Sequence, residues 1–355
     1  MTARRRGAVA AGVTLALLLS ACLSACVPGA DSAVPTPSPS TATRTPTPTP
    51  TPTPVPVFLA PLTGIEVRAG DLLGPSIAAK IDNHPAARPQ VALESADIVF
   101  EELVEGGLTR YLAVWHSRIP AELGPVRSVR PMDPDIVAPF GGIIAYSGGQ
   151  ERFVEQMEAT GVLNAIHGQE ATAEVFYRSQ SRFSPHNVLV QAQTLVAQHA
   201  ALAAPARQFD YSATGEPSSA AVVGTATSTF ALSFSPESAR AWSWDTVRSV
   251  WARSQDGAPD ADEAGVAYGA TNVVVLRVPV TDDRDVPKTE LIGSGEAWVA
   301  SAGSVLHGSW SKASAADRIV LVDDAGAPIA LQPGSTWVEL VPLAGSVGLP
   351  APVVP

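Results

Sequence analysis

Between Asp97 and Asp133 the chain gathers Asp97, Glu101, Glu102, Glu105, Arg110, His116, Arg127 and Arg130 in an otherwise apolar, small-residue sequence. Two chemistries fit these residue types. Guanidinium groups match phosphate, pyrophosphate or carboxylate bidentately, so Arg110, Arg127 and Arg130 are candidates for an anion site. A carboxylate beside an imidazole fixes its tautomer, so Asp97 with His116 is a candidate general base; the commoner use of such a pair is to close the open end of a hairpin.

The glutamates have the types for acid and base work. Positions four apart on a strand, however, lie about 13 Å from each other, beyond the roughly 6.5–9.5 Å used by inverting glycosidases. Glu101 and Glu105 are therefore read as a clamp around Arg110. Glu102 is read as a strand-end group reaching solvent, the alternative being a buried carboxylate with a raised pKa. Two further polar loops, Asn83 to Gln90 and Arg178 to Asn187, add His84, Arg88, His186 and Asn187 to the ligand-binding candidates. The histidines show no HExxH or other close metal-ligand spacing, so neither a metal nor a cofactor is expected.

A hairpin must position the first group. Two β-branched and aromatic runs, Ile98 to Glu105 and Leu108 to His116, flank Gly106-Gly107, which reads as a two-residue turn. That register sets Glu105 opposite Leu108, Glu101 opposite Leu112 and Asp97 opposite His116. If Gly124 to Pro131 is a helical turn, Arg127 and Arg130 point the same way; if it is extended they point to opposite faces. Strands are expected over Ser76 to Asp82, Gly141 to Tyr146 and Val188 to Val190, with helices over Gln150 to Thr160 and about Ala192 to Ala203. Ser147-Gly148-Gly149 before the first helix offers backbone amides to an anion, a weak signal. Past Pro205 short alternating runs separated by turns predict a β-rich domain. Its tryptophans Trp298, Trp310 and Trp337 are read as core rather than as a carbohydrate-stacking surface.

The front of the chain is processing sequence. Arg4 to Arg6 precede an uncharged run that ends in Leu19-Ser20-Ala21-Cys22, and Leu23-Ser24-Ala25-Cys26 repeats the pattern. This resembles a bacterial lipoprotein signal with two overlapping sites, so Cys22 (or Cys26) is the expected lipidation site and the membrane an expected partner through the anchor. No other cysteine occurs among the 355 residues, so no disulfide cross-links the body. Pro28 to Pro56 is a Pro/Thr-rich spacer in which roughly 25 residues of polyproline II span about 75 Å. Without the three arginines the formal charge falls from −11 to −14, which argues against a nucleic-acid-binding surface.

The expected organisation is a signal and lipobox (1–26), a linker (27–57), an N-terminal domain (58–205), an inter-domain linker (206–219), a C-terminal domain (220–345) and a tail (346–355). The fold class is an α+β or α/β N-terminal domain with a mixed sheet and a central β-hairpin, followed by a smaller β-rich domain. KIDNHPAARPQ, ADIVFEELVEGGLTRYLAVWHS, GPVRSVRP, AYSGG, SPHN, GSWSK and PGSTWVELVP resemble the YerB-like bacterial lipoprotein family over most of residues 58–345. The resemblance implies two domains and assigns no activity. Three functions follow as expectations: an extracytoplasmic, lipid-anchored protein binding an anionic cell-envelope polymer, wall-bound or lipid-linked, through its arginine loop; an envelope hydrolase or transferase using His116 with Asp97 or a hairpin glutamate; or a scaffold for an envelope enzyme with an unnamed protein partner. Whether the chain is an enzyme stays open.

Overall fold

The computed structural model describes residues 57–349. The signal, both lipobox cysteines and the spacer through Pro56 lie outside the described residues. The elements used below are β1 (Ile77–Asp82), β2 (Ile98–Leu103), β3 (Thr109–Trp115), α1 (Asp133–Val137), β4 (Ile143–Tyr146), α2 (Glu151–Glu158), β5 (Leu163–Ile166), β6 (Thr229–Ser235), β7 (Ser238–Asp245), β8 (Val250–Gln255), β9 (Asn272–Val278), β10 (Gly293–Ser301), β11 (Ser304–Lys312) and β12 (Thr336–Pro342).

Among the described residues an eleven-stranded mixed sheet runs through both halves of the chain, in the order β11-β10-β9-β12-β2-β3-β1-β4-β5 with two short strands on β11. The two halves meet where β12 lies parallel to both β9 and β2, with Thr336 beside Asn272 and Ile98. A strand covered on both faces needs apolar residues at nearly every position, and TWVELVP supplies them with two exceptions, Thr336 at its start and Glu339. A second, six-stranded sheet built on β6, β7 and β8 covers one face of the large sheet. Its strands alternate buried and exposed residues, as a sheet with one wet face must. Helices α1 and α2 cover the other face through Ile136, Phe153 and Met157. The protein is mostly β; its helices are short, fewer turns than an α/β reading of the N-terminal part implies. Trp310 and Trp337 are buried, and Trp337 packs edge-on to Tyr111 and Trp242 at 5.4 and 5.5 Å.

The hairpin forms at the centre of the sheet, but its register is one residue away from the expected one. Glu101 faces Tyr111 and Glu102 faces Arg110. Gly106 and Gly107, at φ 68° and 71°, do not make a two-residue turn. They close a three-residue loop from Glu105, inside a Val104 N–H to Leu108 carbonyl hydrogen bond of 2.8 Å. One extra loop residue moves every partner by one, and with both faces covered the hydrophobic pattern could not discriminate. Thr109, Tyr111 and Ala113 consequently face the small sheet with Val99 and Glu101. Arg110, Leu112 and Val114 face the helices with Ile98, Phe100 and Glu102.

Candidate functional site

The end of β1 and three loops around it build a cavity of about 160 Å³, lined by Asp82, His84, Glu105, Arg110, Arg127, Arg130 and His186, with apolar Val104 and Leu108 at the hairpin loop. Side chains two apart on a strand share a face, so Lys80 and Asp82 of β1 stand on the same side as Glu102 of β2 and Arg110 of β3, whose backbone lies opposite Asp82 on one neighbouring strand and Glu102 on the other. Lys80 is sealed from solvent and paired with Glu102 and Asp133, the second at 2.7 Å. Burial pushes its pKa down to about 8, against the pull of Asp133 and helped by Arg110 and Arg130.

The arginine loop lies beside β1. The Asp82 amide donates to the Pro125 carbonyl at 2.9 Å and the Arg127 amide to the Lys80 carbonyl at 2.8 Å. This segment is extended rather than a helical turn, yet Arg127 and Arg130 line the same cavity. The reason is Asp133, which accepts the Arg130 amide at 2.6 Å and turns the chain into α1. Arg127 Nε lies 3.1 Å from Asp82 Oδ2, and Arg130 Nε donates to Glu105 Oε2 at 2.7 Å. Arg110 Nη1 donates to the Ser128 carbonyl at 2.9 Å, its one hydrogen bond among the described residues. Burial, Arg130 and Arg127 lower the Arg110 pKa to about 10 against the opposing pull of Asp82. Three guanidiniums thus share a hollow with two carboxylates, and the most buried of the three has no carboxylate of its own. Behind the lining Lys80 sits between two buried carboxylates, Glu102 and Asp133, which balances the charge of the whole network; the cavity lining itself presents three guanidiniums to two carboxylates, and that local excess is what an anion would meet.

Several sequence-based expectations are corrected by this geometry. Asp97 does not orient the His116 ring: its Oδ2 accepts the backbone amides of His116 and Ser117, both at 2.7 Å, while His116 Nε2 lies 3.1 Å from the Gly74 carbonyl. Glu101 and Glu105 do not clamp Arg110, because the register shift turns Glu101 to the other face. There it meets Arg240 at 2.7 Å and Arg253 at 2.6 Å, both from the small sheet. Glu102 does not reach solvent; it is buried against Lys80. Arg88 reaches away from the cavity to Asn83 and Asp256, and Asn187 is held by Arg178 at 2.8 Å. Among the described residues no cluster of three or more His, Cys, Asp or Glu is arranged to hold a metal ion.

Lys80, Asp82, Asp133, Arg240 and Arg253 were missed by sequence reasoning. Alternation held the signal for two of them: in SARAW and WARSQ the arginine falls on the same parity as Trp242 and Trp251, an inward position that a charge occupies only with a partner.

Residues 62–205 match the model described as Protein of unknown function (DUF3048) N-terminal domain, and residues 230–338 the corresponding C-terminal domain. The chain is 27% identical over 295 residues to "Putative lipoprotein YerB" of Bacillus subtilis (strain 168), covering 80% of this chain and 86% of that protein. The crystal structure of YerB from Bacillus subtilis superposes with a TM-score of 0.70 at 26% identity, over 82% of this chain and 100% of that one. With both of the family's domains present in order on a shared sheet, the chain belongs to the DUF3048 family and is a homologue of YerB.

Proposed function

We propose that this protein is a lipoprotein on the extracytoplasmic face of the cell membrane whose arginine-walled cavity binds a phosphate-bearing group of a cell-envelope polymer. Its relative YerB is named as a lipoprotein, and this sequence carries two overlapping lipobox sites of its own. The observation that carries the binding reading is Arg110: almost wholly buried, without a carboxylate partner, and set beside two further guanidiniums. Burying a cation without an anion is unfavourable, and a bound phosphate offsets that cost with bidentate hydrogen bonds. The body as a whole is acidic, so recognition is local to the cavity and salt-sensitive at its mouth.

The test is binding of a poly(glycerol phosphate) to the full-length protein and to an Arg127→Ala, Arg130→Ala double variant. Loss of binding with a nearly unchanged melting temperature supports the reading. Equal binding by the variant contradicts it, and an equally large loss of folding makes the arginines structural.

A further inference from the structure

Two imidazoles stand at the same cavity with their Nδ1 atoms in opposite roles, one accepting and one donating. The rings of His84 and His186 stack with centroids 4.4 Å apart and planes within 14°. His84 Nδ1 accepts the backbone N–H of Ala86 at 3.1 Å; a peptide N–H can only donate, so that nitrogen is bare and the proton of His84 sits on Nε2. His186 Nδ1 lies 2.7 Å from Asp82 Oδ2; a carboxylate only accepts, so this nitrogen carries a proton, and whenever the ring is neutral its Nε2 is a bare lone pair. Asp82 is itself fixed, with Oδ1 accepting the His84 amide at 3.0 Å. Among the described residues neither Nε2 has a hydrogen-bond partner, and both rings line the cavity.

In its neutral form His186 turns a lone pair on Nε2 toward the cavity, which repels a phosphate oxygen and is satisfied by a group that brings a proton, such as water. His84, in contrast, can donate to the anion but cannot act as a strong acid, because protonating Nδ1 would break its bond from Ala86. The site therefore has a base and no proton donor for an alkoxide, which restricts it to leaving groups stable as anions. At about 160 Å³ it is well below the roughly 300–1,000 Å³ of pockets that enclose whole ligands, so it admits a head group and leaves substituents outside.

We propose that the cavity hydrolyses a phosphoanhydride, an inference that rests on the anion-binding reading above. Arg110, Arg127 and Arg130 hold the diphosphate. Water donates to His186 Nε2 and attacks one phosphorus. The new O–P bond forms as the bridging P–O bond breaks, the water proton passes to Nε2, and the imidazolium is balanced by Asp82. The leaving phosphate departs with the electron pair of the broken bond and needs no proton. The imidazolium then releases its proton to solvent, so one diphosphate and one water give two phosphates. His186 is the catalytic residue here and Asp82 its positioning residue.

The experiment measures phosphate release by the full-length protein from inorganic pyrophosphate and from farnesyl diphosphate, alongside calorimetric binding of pyrophosphate. Release is expected from at least one probe: the first alone identifies a free anion as the source, the second alone a lipid-linked one. His186→Asn keeps an N–H for Asp82 and lacks the far nitrogen; it should lower release by about 10²–10⁴-fold while pyrophosphate binding stays within about threefold. His186→Gln should do the same if the first variant folds poorly, and Asp82→Asn should change the pH profile of release rather than lower it equally at every pH. Binding of pyrophosphate without release from either probe overturns the hydrolytic role and leaves the binding reading standing. Absence of binding overturns both, and release that survives both His186 substitutions overturns the assignment of the base.

Discussion

The Glu101 carboxylate and the Arg253 guanidinium lie 2.6 Å apart, sealed from solvent and 152 residues apart in sequence. Arg240 and Thr109 bind the other carboxylate oxygen at 2.7 and 2.6 Å, so this one acid ties the hairpin to the small sheet. Burial works to raise the Glu101 pKa, and the two arginines override it and hold it at about 2. Arg253 is one of two cations on buried Glu101 and also pairs with Asp260, so Arg253→Met strips one carboxylate of its partner and weakens the other's, and should destabilise by about 3–5 kcal/mol in denaturant unfolding. A cost near zero would show the pair to be dispensable.

Glu101 also fixes a pH dependence. Its folded pKa is below its ordinary 4.5, so its contribution is complete above that pH and is lost as pH falls toward about 2. Glu101→Gln should therefore flatten the loss of melting temperature between pH 4.5 and 2. An unaltered acid slope would assign the loss to other groups.

Glu339 titrates in the opposite sense. Burial, then the nearby Glu101, raises its pKa well above the ordinary value. Trp242 Nε1 donates to its Oε1 at 2.8 Å, and its Oε2 has no hydrogen-bond partner among the described residues. Above pH 4.5 the unfolded chain releases a proton that the folded chain keeps, so stability falls as pH rises. Glu339→Gln should stabilise the protein by at least about 1 kcal/mol at pH 7, and the gain should vanish at pH 4. A gain that is the same at both pH values would contradict the protonated state.

Lys80 couples stability to the cavity. It holds Glu102 and Asp133, and Asp133 caps the Arg130 amide. Lys80→Met leaves two buried carboxylates and should cost about 3–5 kcal/mol. Where the variant still folds, it should weaken pyrophosphate binding measured by calorimetry; unchanged affinity would separate the buried triad from the site.

Much of the frame was legible in the sequence. β-branched runs and turn residues located β1 and β4 to within two residues, because those signals are local. The hairpin register was not, since a Gly-Gly pair serves a two- or three-residue loop equally well and both faces are buried. That single step moved Glu101 away from Arg110 and toward arginines of the other half, a pairing that only tertiary structure discloses. Residue type was the better guide: His84, Arg127, Arg130 and His186 from the loops and Arg110 from β3 meet at one cavity. Asp82, which orients two of them, was read as the end of a strand.

Arg110 offers the most direct test, because its two consequences point in opposite directions. Its charge is disfavoured by burial and by Arg130, so Arg110→Met should leave the melting temperature unchanged or raise it. The same substitution removes the cation without a carboxylate partner and should weaken pyrophosphate binding by at least about tenfold, the equivalent of about 1.4 kcal/mol. Calorimetric titration of pyrophosphate into the full-length wild type and this variant, with melting temperatures measured alongside, decides the matter. Binding by the wild type that is lost in a fully folded variant is the predicted result; a wild type that takes up no pyrophosphate, or a variant that binds it equally, would contradict the account.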